Sequence, residues 1–251
     1  MKKILRFILP IFIVALVWGF ISRASIVNPF LFPPPSKVFL AFLEMIRSGV
    51  LFSDMKDSLW RLLIGLLLGS VLGIVIGLIT GRVKKISSFI VPIIQVLRPL
   101  PPVAIIPLVI VWFGIGDGAK IFSIAFGVIF PVWLNTHIGA QQIPEAFLWT
   151  AKLLTKSTIK TFRKVILPAA TPFIVAGIRT AIAVSFVMIF VSELAGASSG
   201  LGYRISIAQL SYRLDEMIAA LFVLGALGAL VDMLFVYSTK KIFPWLKLEN
   251  K

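Results

Sequence analysis

Cysteine is absent from the 251 residues, which excludes disulfide frameworks, thiolate metal sites and thiol nucleophiles. Histidine occurs once, at His137, so no imidazole cluster is available to a metal, and this ring reads as a packing residue near a membrane interface. Acids number only 10, and an intramembrane enzyme, which needs converging titratable groups, is disfavoured for that reason. No Gly-x-x-x-x-Gly-Lys-Ser/Thr segment is present, so the chain lacks the phosphate-cradling loop that holds ATP. The run Gly114-Ile115-Gly116-Asp117-Gly118-Ala119-Lys120 is wrongly spaced for such a loop, with Ile121 after the lysine, and reads as a tight turn. Charge is scarce altogether, at 14% of residues against about 25% in a soluble domain.

Apolar surface is what the chain has in excess. Hydrophobic residues make up 59% of it and the mean hydropathy is +1.03. A water-soluble fold of this length cannot hide that much apolar surface, whereas apolar runs of about 18 or more residues cross a bilayer as helices. The fold class is therefore all-α integral membrane. The formal net charge of +15 is also the footprint of nucleic-acid binding, but position argues against that partner. The cations gather in short clusters between apolar runs: Lys2, Lys3 and Arg6; Arg82, Lys84 and Lys85; Lys152, Lys156, Lys160, Arg163 and Lys164; Lys240, Lys241, Lys247 and Lys251. Clusters in alternate loops follow the positive-inside rule.

About six transmembrane helices are expected. The first covers roughly residues 4–21; its basic start also resembles a secretory signal with a cleavage region at Ser22 to Ser25, but its apolar stretch approaches spanning length. The proline-rich residues 28–35 stop it, and the mixed run from Lys37 to Arg47 predicts a helix lying along the surface. A second span, near 60–80, carries Gly65, Gly69, Gly73 and Gly77 on one face, a stripe suited to close helix packing. A third, near 86–113, contains Arg98-Pro99-Leu100-Pro101-Pro102 and must break there; at membrane depth such a break survives where protein or a watery path satisfies the backbone. Further spans follow near 121–138, 169–191 and 217–237, placing both termini in the cytoplasm. Tryptophans at Trp18, Trp60 and Trp112 on one side, and at Trp133 and Trp245 on the other, are expected as interfacial anchors. The division predicted is 1–55, a first helix with outer loop and surface helix; 56–240, the transmembrane core; and 241–251, a cytoplasmic tail.

Two arginines inside spans stand out, because a central cation costs at least about 2.5–3.5 kcal/mol even on the lenient insertion scale. At about 1.5 Å per residue, Arg179 lies about 16 Å and Arg98 about 18 Å deep. Either they face a shared path and attract an anion, or they pair with Asp232, taken as the one acid well inside a span, or with carbonyls freed by the prolines. The polar residues 141–167 are too long for a simple turn, and Glu145 to Leu154 predicts a helix with Pro144 at its start. An ion-coupled secondary carrier, which also shows broken helices and charges at depth, is the alternative reading.

Here a family resemblance becomes specific. Ala151, Ser157 and Val165-Ile166-Leu167-Pro168 resemble the coupling loop of binding-protein-dependent ABC importer permeases, and further similar strings are Ser58-Leu59-Trp60-Arg61, Arg98 to Ala104, Trp112 to Gly116, Ser192-Glu193-Leu194 and Gly200-Leu201-Gly202. The taurine, alkanesulfonate, nitrate and bicarbonate branch is the most similar. The resemblance implies a type I (MetI-like) permease fold with a cytoplasmic coupling helix in a bacterial plasma membrane. It implies a homodimer, two cytoplasmic ATP-binding subunits and an extracytoplasmic solute-binding protein as partners. ATP and Mg would sit on the ATPase subunits, with no cofactor or metal on this chain. Its pathway candidates are Arg98, Pro99, Pro101, Pro102, Arg179 and Glu193; its coupling candidates are Trp149, Thr150, Ala151, Lys152, Thr155, Ser157, Leu167 and Pro168. Trp149 and Thr155 stand where the family's loop has Glu and Gly, a departure at the ATPase contact.

Overall fold

The computed structural model describes residues 2–24, 28 and 30–245, with the side chains of 2–8, 11 and 12 left aside. Ser25 of the candidate cleavage region and the end of the expected tail, with Lys247 and Lys251, lie outside the described residues. Every regular element among the described residues is helical. In chain order these are α1 (Lys2–Arg23), α2 (Pro35–Arg47), α3 (Val50–Arg82), α4 (Lys84–Leu97), a 3₁₀ turn (Pro102–Ile105), α5 (Ile106–Phe113) and α6 (Asp117–Gln141). After them come α7 (Glu145–Leu154), α8 (Thr158–Thr161), a π turn (Phe162–Ile166), α9 (Leu167–Gly196), α10 (Leu201–Leu210) and α11 (Leu214–Ile242).

Among the described residues four stretches are long and apolar enough to cross a membrane: α3, α6, α8 through α9, and α11. The pair α4 and 3₁₀–α5 makes a fifth if taken as one span; its two halves meet at 83° across Arg98 to Pro101. The break predicted from the prolines is there, because Pro99, Pro101 and Pro102 supply no N–H to continue the ladder. The expected first span falls in the 22-residue α1. Helix α3 begins at Val50, ten residues ahead of the span predicted from hydropathy. Hydropathy detects only the part that meets lipid, while the polar first turns with Asp54, Asp57 and Ser58 are helical as well.

The chain forms two compact units, one of residues up to Ser58 with Ser198–Ala226, the other of Leu59–Ala197 with residues from Leu227 on. The division expected at 55/56 had placed 198–226 in the core instead. In the second unit α6 is the central helix, with α3 on one side and α9 on another. Toward α3, a methyl added at Gly65 would lie 2.6 Å from Ile124 Cβ, at Gly69 2.6 Å from the Ala125 carbonyl, at Gly73 2.9 Å from Val132 Cβ and at Gly77 2.6 Å from Thr136 Cβ. Gly81 extends the seam, 2.5 Å from Ala140 Cβ. None of these distances admits a side chain, so the two backbones approach as closely as the missing Cβ atoms allow. Toward α9, Gly127 meets Met188 and Gly139 meets Phe173. Leu62, Ile106, Ile124, Val128, Val132, Ala181, Met188 and Ile189 form the core these seams enclose.

In the first unit α2 buries Val38, Ala41 and Met45, a three-and-four spacing that marks one face. Asp54 and Ser58 of α3 cap the start of α10: Gly200 N–H donates to Asp54 Oδ1 (3.0 Å) and Leu201 N–H to Ser58 Oγ (2.9 Å). Gly200 takes a φ of +112°, open to glycine at little cost.

Candidate functional site: a broken span, a buried ion cluster and an exposed hairpin

Arg98 stands at the break as the residue that ends α4, its N–H donating to the Ile94 carbonyl at 2.8 Å. Its side chain is exposed, as are Pro99, Leu100 and Pro101. Its guanidinium has no hydrogen bond or ion pair among the described residues. Beyond the break, Val103 and Ile106 turn back into the core, which anchors the far side of the bend.

Arg179 behaves differently. Its Nε and Nη2 donate to Asp232 Oδ1 and Oδ2, both at 3.0 Å, a two-pronged pair joining α9 to α11. Both partners are partly exposed. The structure therefore does not gather Arg98, Arg179 and Glu193 into one hydrogen-bonded group.

Glu193 belongs to a cluster that the sequence reading missed. Arg61 Nη1 donates to Glu193 Oε1 at 2.7 Å and Arg61 Nε to Asp117 Oδ1 at 2.7 Å. Glu193 is 1% exposed and Arg61 4%. Lys120, also buried, donates through Nζ to the carbonyls of Ile115 (2.7 Å) and Gly116 (3.2 Å). Its Nζ lies 4.0 Å from Asp117 Oδ1. Two cations and two anions thus form a neutral knot tying α3, the 114–117 turn and the end of α9, and pairing is what lets charges be buried. Glu193, near the end of α9, is thus buried within the protein, whereas Asp232 is partly exposed.

Trp133 also departs from its predicted role as an interfacial anchor. It is 2% exposed, with Nε1 donating to Thr80 Oγ1 at 3.2 Å and its ring stacked on His137 at 5.4 Å. His137 Nδ1 lies 2.9 Å from the same hydroxyl. Trp60, Trp112 and Trp245 are exposed.

The hairpin after α6 has the bounds predicted for its helix, α7 running from Glu145 to Leu154 with Pro144 before it. Ala151 is buried, while Phe147, Trp149 and Ile159 stand out, and Leu153 and Leu154 are 88% and 81% exposed. Thr155 Oγ1 accepts from Ser157 N–H (3.1 Å), and Ser157 Oγ caps α8 by accepting from Lys160 N–H (3.3 Å). Lys152, Lys156, Lys160, Arg163 and Lys164 are all exposed. From Ala146 to Ser192 the sequence has no acid. After Glu145 this segment thus presents exposed apolar side chains among five exposed cations, the composition of an interaction surface. The π turn follows, its ladder closed by Leu167 N–H on the Phe162 carbonyl, and Pro168 begins the next turn. Among the described residues no group of three His, Cys, Asp or Glu side chains is placed to hold a metal.

Comparison with known proteins agrees with this architecture. A protein of Bacillus subtilis named for aliphatic sulfonate transport, the permease SsuC, is 35% identical over 95% of this chain and 86% of its own. The SsuC permease of Escherichia coli is 38% identical over 92% of this chain and 88% of its own. The taurine transport system permease TauC of Escherichia coli is 27% identical over 91% and 85%. Among solved structures, a chain of the MetNI methionine ABC transporter superposes with a TM-score of 0.63 at 20% identity, over 78% of this chain and 97% of that one. A chain of an amino acid ABC transporter gives 0.62 at 20% identity, over 82% and 98%. The MetI-like helical fold is thereby shared. Residues 69–244 match the family described as binding-protein-dependent transport system inner membrane components. With the spans, the break and the match over most of its length, the chain belongs to that family and is a multi-pass membrane permease.

Proposed function

We propose that this chain is the membrane-spanning subunit of an ATP-driven importer for a small organic sulfonate, of the alkanesulfonate or taurine class. The observation that carries the reading is the kinship to SsuC and TauC across nearly the whole chain. Two copies enclose the path, an extracytoplasmic binding protein delivers solute on one side, and two ATP-binding subunits dock on the other. Nitrate and bicarbonate, equally expected from the sequence, have no comparable support.

The residues divide this labour. The exposed Leu153, Leu154, Trp149 and Ile159 with their surrounding lysines offer the ATPase an apolar, cationic knob, and Thr150, Ala151, Lys152, Thr155 and Ser157 shape it. Leu167 and Pro168 join it to α9. The ATPase supplies ATP and Mg; this chain supplies the path. Coupling requires that nucleotide state and path state shift each other's equilibria by equal free energies. At the break, Arg98 is a cation without a partner among the described residues, suited to an anionic sulfonate as it passes, with Pro99, Pro101 and Pro102 keeping the backbone open beside it.

The test is uptake into proteoliposomes holding permease and ATPase subunits with the binding protein outside. Radiolabelled taurine or methanesulfonate should accumulate only with ATP inside. Arg98→Gln should lower uptake by about tenfold or more, the worth of a charged hydrogen bond, at unchanged abundance. Accumulation of neither sulfonate would reject the substrate assignment.

A further inference from the structure

Beside α1 lie two cavities that the transport reading leaves unused. The first, about 360 Å³, is a groove between α1, α2 and α11, lined by Trp18, Val38, Phe39, Phe42, Phe222 and Ala226 among others, with no charged side chain. The second, about 720 Å³, shares Pro35 as a wall and runs along α1 from Ala15 and Leu16 past Gly19 and Phe20 to Arg23. Eight residues separate Ala15 from Arg23, about 12 Å of helix. Ser36 and Arg23 bring polar groups to one end of this second cavity.

The chemistry is graded along the helix. At one end Arg23 has no hydrogen bond or ion pair among the described residues, and Trp18, whose indole N–H donates to the Pro33 carbonyl at 3.1 Å, is the residue type that anchors at a membrane interface. Toward the other end the walls are wholly apolar. A cation at the boundary and greasy walls below it match the two ends of one molecule, a phospholipid with a negative headgroup. An arginine with no partner among the described residues gains from an anionic lipid what a zwitterionic one does not give. An ordinary interfacial arginine would also snorkel to the boundary, but it would not line a cavity that shares a wall, Pro35, with a second, apolar groove.

We propose that these cavities form a binding site for one anionic phospholipid, with its phosphate at Arg23 and an acyl chain in the groove beside Phe39 and Phe222. The site stands independently of the substrate and of the ATPase docking reading.

Native mass spectrometry of the full-length permease, extracted from nanodiscs of equal parts phosphatidylglycerol and phosphatidylcholine, tests it. The unmodified chain should retain phosphatidylglycerol over phosphatidylcholine by about fivefold, the effect of one cation near a headgroup. Arg23→Gln should erase the preference and Arg23→Lys should keep it. Ala226→Trp, a change at an exposed groove wall, should lower retention of the lipid. Equal retention of the two lipids, or an unchanged preference in Arg23→Gln, overturns the proposal. So does a covalent dimer formed by oxidising Ala226→Cys, whose cysteine would be the only one in the chain, since a second copy would then cover the groove.

Discussion

Arg61 and Arg98 pose opposite problems for a membrane protein. Arg61 is buried against Glu193 and Asp117, so taking away Arg61 strips the buried Glu193 carboxylate of its ion-pair partner. Arg61→Met should cost about 3–5 kcal/mol and the double change Arg61→Met with Glu193→Leu much less, because the orphaned carboxylate is removed too. Thermal unfolding in detergent of the two variants measures this. Arg179 gives a milder version, its pair with Asp232 being partly exposed. Arg179→Gln should reduce abundance modestly, and Arg179→Gln with Asp232→Asn should restore it, read by membrane immunoblot. Arg98 should affect uptake alone, since no described residue loses a partner with its side chain.

Among the elements, the seam of α3 on α6 and the α7 hairpin make separate demands. At Gly69 a Cβ would come within 2.6 Å of a backbone oxygen and 2.8 Å of Val128 Cβ, and backbone cannot step aside. Gly69→Val should therefore destabilise by at least the roughly 1–3 kcal/mol typical of overpacking, seen as a lower melting temperature. Leu153→Asp with Leu154→Asp should leave the fold intact, both side chains being exposed, and abolish co-purification of the ATPase subunits. How much of this could be read in the sequence depended on the range of each interaction. The break and the bounds of α7 were legible because Pro99, Pro101, Pro102 and Pro144 act on their own backbone. The spacing of Gly65 to Gly77 showed a face, though not which helix it meets. Helix α10 was missed because its start is capped by Asp54 and Ser58, 146 and 143 positions away. The Arg61 knot was missed for the same reason, its partners being 56 and 132 positions off. Trp133 was misassigned because indole is equally at home in a boundary and in a core, and only the hydroxyl of Thr80 decides.

For the molecule as a whole, the energy source separates the importer from a carrier driven by an ion gradient. Uptake should continue when the gradient is collapsed by an ionophore and stop when the ATPase subunits are left out of the liposomes; the reverse pattern would favour the carrier. The π turn between α8 and α9 bears on how that energy travels. Closing on the fifth residue rather than the fourth, it holds one residue more per turn than its neighbours. Tightening it to ordinary winding would twist the knob by about 100°, a little over a quarter of a revolution, about the α9 axis, at 3.6 residues per turn. The π turn therefore sets which way the exposed Leu153, Leu154 and Ile159 face about that axis.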